Sequence, residues 1–192
     1  MGDEFHHECG VAALYQFQPP RDNKGRECDF DNIMTLMPQM LLDLQNRGQL
    51  AAGVTTFNPE RPQILDTFKD VGTVNEVFRL SHPGKHQSIL DDYAGRAAIG
   101  HTRYATSGDE GEDDDDRYAQ PFERQHGRLW KWFSLAFNGN LANYVQLRER
   151  LLSKRGYHFT LNIDTEIIMH TLAYRLRGER MPDLCKVMAS LS

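Results

Sequence analysis

The sequence predicts an α+β fold, on three observations. Short runs of small, β-branched and aromatic residues dominate the front of the chain, and apolar stripes at helical spacing dominate the back. No regular strand–helix alternation runs through it, which argues against βαβ units and a parallel sheet. No internal repeat is visible.

Residues 10–17 and 50–57 read as strands, as do 64–68, 97–102 and 132–137. A helix lies between the first two. Asp31 or Asn32 can cap it, Ile33, Met37, Met40, Leu41 and Leu44 form its apolar stripe, and Gly48 ends it. Pro38 falls inside that span, so the regular helix is expected to begin there, with proline in its first turn. The methionines of the stripe read as core packing, not as a metal site. In the second half, Leu141, Tyr144, Val145, Leu147, Leu151 and Leu152 make an amphipathic helix stopped by Gly156. Another begins near Asp164, carries Ile167, Ile168, Leu172 and Leu176, and stops at Gly178. Pro182 is expected to open a last helix at a first-turn position. Residues 108–128 form one long polar interruption and read as a loop.

The 192 residues suit one domain, and 40% hydrophobic with 26% charged residues is ordinary for a globular chain. No apolar stretch approaches the roughly 18 residues needed to cross a bilayer, so no membrane role is expected. Residues 1–8 lack the basic and apolar regions of a signal peptide. Met1-Gly2 is no acylation signal, because His6 stands where Ser or Thr is required. Cys9, Cys28 and Cys185, odd in number and widely spaced, fit neither a disulfide framework nor a zinc site, so a reducing cytoplasm is expected. The net charge of −5 comes from one place: Asp109, Glu110, Glu112 and Asp113 to Asp116 carry seven negative charges, and the remainder would be +2. That balance indicates no nucleic-acid face. The acidic run reads as a solvated loop rather than a magnesium site.

Cys9 carries the most information about chemistry. It sits in His7-Glu8-Cys9-Gly10-Val11-Ala12, just ahead of the first strand. A lone cysteine there is by itself more often an ordinary buried one. If the Glu8–Cys9 bond is cut, however, a thiol and a free α-amino group share one residue. Four further segments place compact polar or glycine residues directly after strands. They are Gln45-Asn46-Arg47-Gly48-Gln49-Leu50-Ala51-Ala52-Gly53; Gly100-His101-Thr102-Arg103-Tyr104-Ala105-Thr106-Ser107-Gly108, followed by Ala119-Gln120-Pro121-Phe122; Phe137-Asn138-Gly139-Asn140-Leu141; and Asn162-Ile163-Asp164-Thr165-Glu166.

In this order the segments closely resemble the class II glutamine amidotransferases, which are N-terminal-nucleophile hydrolases. The nearest resemblance is to the glutaminase domain of the amidophosphoribosyltransferases, from Glu8 to about Gly178. It implies a four-layer αββα sandwich, with the completeness of the fold past Ser192 left open. It also implies a propeptide of residues 1–8, a glutaminase domain of 9–192, and a synthase domain outside this chain. The implied activity is hydrolysis of glutamine and delivery of ammonia to a phosphoribosyltransferase domain or chain, forming phosphoribosylamine for purine synthesis in a cytoplasmic homo-oligomer. A glutaminase serving glutamate or amino-sugar synthesis, and a non-catalytic interaction module, are the alternatives. No cofactor is expected here; magnesium and an iron–sulfur cluster would belong to the synthase part.

The resemblance also assigns roles. Cys9 is the nucleophile, and its α-amino group is the base once residues 1–8 are gone. A thiol with an ordinary pKa of about 8.5 is mostly protonated at neutral pH, and an α-amine near 8 is well poised to take its proton. The Asn138 side chain and the Gly139 N–H form the oxyanion hole; otherwise Asn-Gly marks a type I′ turn. Arg103 grips the substrate α-carboxylate, and Asp164 holds its α-ammonium or else caps a helix. Tyr104, Thr106 and Ser107 belong to the loop covering glutamine, or to a plain surface turn. Arg47 lies beside the nucleophile, or offsets a helix dipole. His101 reads as a structural histidine, since the terminal amine fills the role of base. The acidic run and residues 123–131 depart from the family pattern around the glutamine loop. No phosphoribosyl-pyrophosphate signature is present: Asp91-Asp92 follows Leu90 but leads to Tyr-Ala-Gly.

Overall fold

The computed structural model describes residues 9–17, 24, 32–104, 116–153, 158–161 and 163–189. The chain divides into two compact units, residues 1–121 with 136–138, and residues 122–135 with 139–192.

The first unit is built on four antiparallel strands, β1 (Gly10–Tyr15), β2 (Ala51–Phe57), β3 (Leu65–Val71) and β4 (Ala97–Arg103), in the order β1-β4-β2-β3. β2 is buried along nearly its whole length, which its small and β-branched sequence AAGVTTF permits. Ala12, Ala52, Val54 and Ala98 of the sheet pack with Met34, Met37, Leu41, Val74, Val77 and Phe78 in one core. Gly100 makes this packing possible, because a Cβ there would lie 2.7 Å from Met37 Sδ and 3.0 Å from Leu41 Cδ2. The methionines are core, as expected.

Asn32 supplies the cap. Its Oδ1 accepts the Met34 N–H at 3.0 Å, and its Nδ2 donates to the Leu90 carbonyl at 2.7 Å. A 3₁₀ turn (Ile33–Thr35) then leads into α1 (Met37–Asp43), with Pro38 in its first turn. A second 3₁₀ turn (Gln45–Arg47) ends at Gly48. Two helices carry no stripe that periodicity could find. α2 (Val74–Val77) is a single turn closed by a Thr73/Glu76 capping box, and α3 (Pro83–Asp92) buries only Leu90. Asp91 and Asp92 therefore end a helix rather than a strand.

The second unit holds the antiparallel pair β5 (Phe122–Arg124) and β6 (Phe133–Leu135) and the helices α4 (Tyr144–Leu152), α5 (Asp164–Arg175) and α6 (Leu184–Ala189). Three expectations change. Residues 108–128 are not wholly loop, since they contain β5 and a 3₁₀ turn at Asp116–Tyr118. The strand expected at 132–137 shortens to β6, because its pairing with β5 covers only three residues. Pro182 stands before α6 rather than in its first turn: Asp183 Oδ1 accepts the Cys185 and Lys186 N–H groups at 3.1 and 3.3 Å, so Asp183 is the cap. The start of α5 is tied down by Glu166. Its buried carboxylate accepts the Thr160 N–H at 2.9 Å, the Thr160 hydroxyl at 2.9 Å and the Leu161 N–H at 2.7 Å. Among the described residues no helix is long and apolar enough to cross a membrane. Asp31, Cys28 and Gly156 lie outside the described residues.

Candidate active site

Cys9 directly precedes β1 and is partly buried, with its thiol free. Its place is set by Gly10, whose N–H donates to Thr102 Oγ1 at 3.2 Å and whose Cα faces Thr102 across the β1–β4 ladder. A Cβ on Gly10 would sit 2.6 Å from that hydroxyl oxygen, so only glycine lets the strand close here. The Tyr104 N–H, just past β4, points at Cys9 Sγ at 3.5 Å.

Asn138 reaches the same residue from another segment: its Nδ2 donates to the Cys9 carbonyl oxygen at 2.5 Å. A primary amide has two N–H donors, so one remains for another acceptor. Asn138 lacks the positive φ that a type I′ turn requires; among the described residues the non-glycine residue with that geometry is Arg79. The type I′ turn reading of Asn138-Gly139 is thereby excluded. Gly139 follows with φ of +157°.

Gln120 bonds the peptide before Asn138 at two points. Its Oε1 accepts the Phe137 N–H at 2.8 Å, and its Nε2 donates to the Phe137 carbonyl at 3.4 Å. Gln120 is itself seated against the sheet. Lys69 Nζ of β3 donates to the Ala119 carbonyl at 2.6 Å, and a Cβ at Gly53 of β2 would overlap the Gln120 carbonyl oxygen. Burial pushes the Lys69 pKa down, with Asp116 acting against it.

His101 lies in β4, opposite Gly53, and is 1% exposed. Its ring nitrogens have no hydrogen-bond partner among the described residues. Burial pushes its pKa down to about 4; the nearby Phe137 backbone opposes this and the Arg103 charge adds to it. It is therefore neutral at neutral pH.

Arg103 closes β4 with its guanidinium 5.2 Å over the Tyr118 ring. Its carbonyl accepts the Leu50 N–H at 3.0 Å, and a Cβ at Gly48 would lie 2.6 Å from the Arg103 carbonyl carbon. Gly48 thus does more than end a helix: it lets that segment close on Arg103. Arg47, next to it, is exposed at the end of its 3₁₀ turn. In the second unit Asp164 is the first residue of α5, not its cap, which is Ile163. Its Oδ2 accepts the Leu141 N–H at 2.5 Å, tying α5 to the segment that follows Gly139. Thr106, Ser107 and the acidic residues 109–115 lie outside the described residues. Among the described residues no group of three or more His, Cys, Asp and Glu could hold a metal ion.

Sequence reasoning gave Gly48 only the end of a helix and assigned no individual role to Thr102 or Gln120. A glycine where the chain must pass another backbone is a usable signal for Gly48 and Gly53. Nothing in local sequence reports the long-range pairing of Gln120 with Phe137.

Comparison with known proteins identifies the family. A model of the glutamine amidotransferase domain matches residues 65–191. The chain is 39% identical over 166 residues to amidophosphoribosyltransferase 1, chloroplastic, of Arabidopsis thaliana, covering 86% of this chain and 24% of that protein. It is 33% identical over 172 residues to the amidophosphoribosyltransferase of Methanothermobacter thermautotrophicus, covering 88% and 30%. A solved structure of glutamine phosphoribosylpyrophosphate amidotransferase from B. subtilis, complexed with ADP and GMP, superposes with a TM-score of 0.67 at 26% identity, over 94% of this chain and 32% of that one. That likeness bears out the expected fold class. The chain spans about a quarter to a third of the length of these relatives. With the domain model matched over about two-thirds of its residues, the chain belongs to the glutamine amidotransferase domain family.

Proposed function

We propose that this domain hydrolyses glutamine at Cys9 and feeds the ammonia to a phosphoribosyltransferase part that forms phosphoribosylamine, the amidophosphoribosyltransferase reaction of purine synthesis. One observation carries the catalytic half: the Tyr104 N–H and the Asn138 amide, from separate segments, meet on Cys9. The choice of synthase is supported by the relatives' names and by similarity over 86–88% of this chain.

On this reading the Cys9 thiol gives its proton to its own α-amino group, and the sulfur attacks the side-chain carbonyl carbon of glutamine. The carbonyl electron pair moves to oxygen, where Asn138 Nδ2 and the Gly139 N–H stabilise it. Collapse re-forms the carbonyl and breaks the C–N bond, and the ammonium of Cys9 returns the proton to the departing ammonia. Water then cleaves the γ-glutamyl thioester, releasing glutamate and the thiol. Arg103 pairs with the substrate α-carboxylate and Asp164, through its second oxygen, with the α-ammonium. Arg47, Tyr104, Thr106 and Ser107 line and cover the substrate. In the 192-residue chain the Cys9 nitrogen belongs to the Glu8–Cys9 peptide, so removal of residues 1–8 is part of the proposal. Magnesium, an iron–sulfur cluster, homo-oligomer contacts and a cytoplasmic location belong to the same reading of the full enzyme.

The test uses the protein expressed from its own gene. Glutamate release from glutamine that rises on adding phosphoribosyl pyrophosphate is the expected result. Stimulation by 2-oxoglutarate or a hexose phosphate instead would assign a different synthase. No glutamate release under any of these conditions would leave a non-catalytic module.

A further inference from the structure

The described part of the first unit contains a continuous chain of contacts from the centre of the sheet to the nucleophile, and Gln120 is its middle link. Ala119 is held by Lys69 of β3, and Gln120 is pressed onto Gly53 of β2, where no side chain intervenes. The Gln120 carboxamide then takes both backbone groups of Phe137, one as acceptor and one as donor. The next residue, Asn138, bonds the Cys9 carbonyl. A carboxamide is suited to this task because it offers one acceptor and a donor in one plane, matching a peptide group as a neighbouring strand would. A carboxylate lacks the donor, and an apolar side chain of equal size lacks both.

We propose that Gln120 is a positioning residue for the oxyanion hole. By fixing the Phe137 peptide it sets where the Asn138 amide stands relative to Cys9, so that its donor meets the developing oxyanion without reorganisation. The inference rests on the reading of Asn138 as an oxyanion donor. It predicts that Gln120 acts through Asn138 and not on substrate binding or on the thiol.

The experiment measures glutamine hydrolysis by the protein expressed from its own gene, with Gln120→Met, Gln120→Glu, Asn138→Ala and the Gln120→Met/Asn138→Ala double variant. Gln120→Met is expected to lower kcat about 10- to 100-fold, the scale of a misplaced catalytic group, with KM within about threefold. Gln120→Glu keeps an acceptor for the Phe137 N–H and should fall between Met and wild type; it decides the matter if the Met variant does not fold. Alkylation of Cys9 by iodoacetamide, which needs the thiolate but no oxyanion hole, should keep its rate in both. In the Asn138→Ala background Gln120→Met should cost less than about threefold more, because the two act on one interaction. Unchanged kcat in both Gln120 variants, full additivity with Asn138→Ala, or a parallel loss of alkylation would overturn the proposal while leaving the oxyanion reading intact. Asn138→Ala with undiminished hydrolysis would overturn the oxyanion reading itself, and the proposal with it.

Discussion

Cys9 and Asp164 are held in place in contrasting ways. Cys9 stands at the start of β1, in a unit where three glycines stand in close contact: Gly10 against Thr102, Gly48 against Arg103 and Gly53 against Gln120. Asp164 stands at the start of a helix and is fixed by a single carboxylate–amide bond to Leu141, with Glu166 securing the turn before it. Packing constrains position from all sides, whereas one hydrogen bond constrains a distance and a direction. The first unit should therefore respond to volume, and the second to charge and hydrogen-bonding capacity.

The largest expected effect is chemical. Cys9→Ala should lower glutamine hydrolysis by at least about 10⁴-fold, as loss of a nucleophile does, without shifting the thermal midpoint, because the thiol supports no packing that alanine cannot replace. Asn138→Ala should lower kcat about 10²- to 10³-fold with little change in KM, as read by steady-state kinetics. Volume comes next. Gly53→Ala should cost about 1–3 kcal/mol in urea unfolding, since the new methyl meets the Gln120 carbonyl and Lys69 Cβ. The same change at Gly127, with nothing within 4 Å, should stay within about 0.5 kcal/mol. Equal losses at the two glycines would erase the contrast.

Charge in the second unit comes after. Asp164→Asn keeps an acceptor for the Leu141 N–H but removes the negative charge, and should raise the glutamine KM about tenfold with stability unchanged. The smallest effect is on the pH dependence of stability. His101 in the folded state titrates near 4, against about 6.5 when exposed, so between these values the unfolded chain binds the extra proton. Stability is therefore full above pH 6.5 and declines as pH falls toward 4, losing about 1 kcal/mol between pH 7.5 and 5.5. His170, lowered chiefly by burial with Glu166 opposing, acts in the same direction. His101→Gln should flatten the profile more than His170→Gln.

The same contrast explains what was legible in the sequence. Strands β1, β2 and β4 and the Pro38 helix start were readable because burial writes hydrophobic pattern, and the polar α3 and β5 were not because they bury little. Cys9, Arg103 and Asn138 were legible as an ordered set of strand-end segments. Thr102, Gln120 and the tie from Asp164 to Leu141 were not. Each depends on a pairing between residues 17 to 92 positions apart, which no local pattern records.

The central claim is that Cys9 is the nucleophile and that its own α-amino group activates it. It is tested most directly by mass spectrometry of the N-terminal peptide of the active protein after inactivation with a thiol-reactive glutamine analogue. The account predicts a peptide that begins at Cys9 and carries one adduct on its sulfur. A fully active protein whose N-terminal peptide still begins at Met1 or Gly2, or whose adduct lies elsewhere, would contradict it.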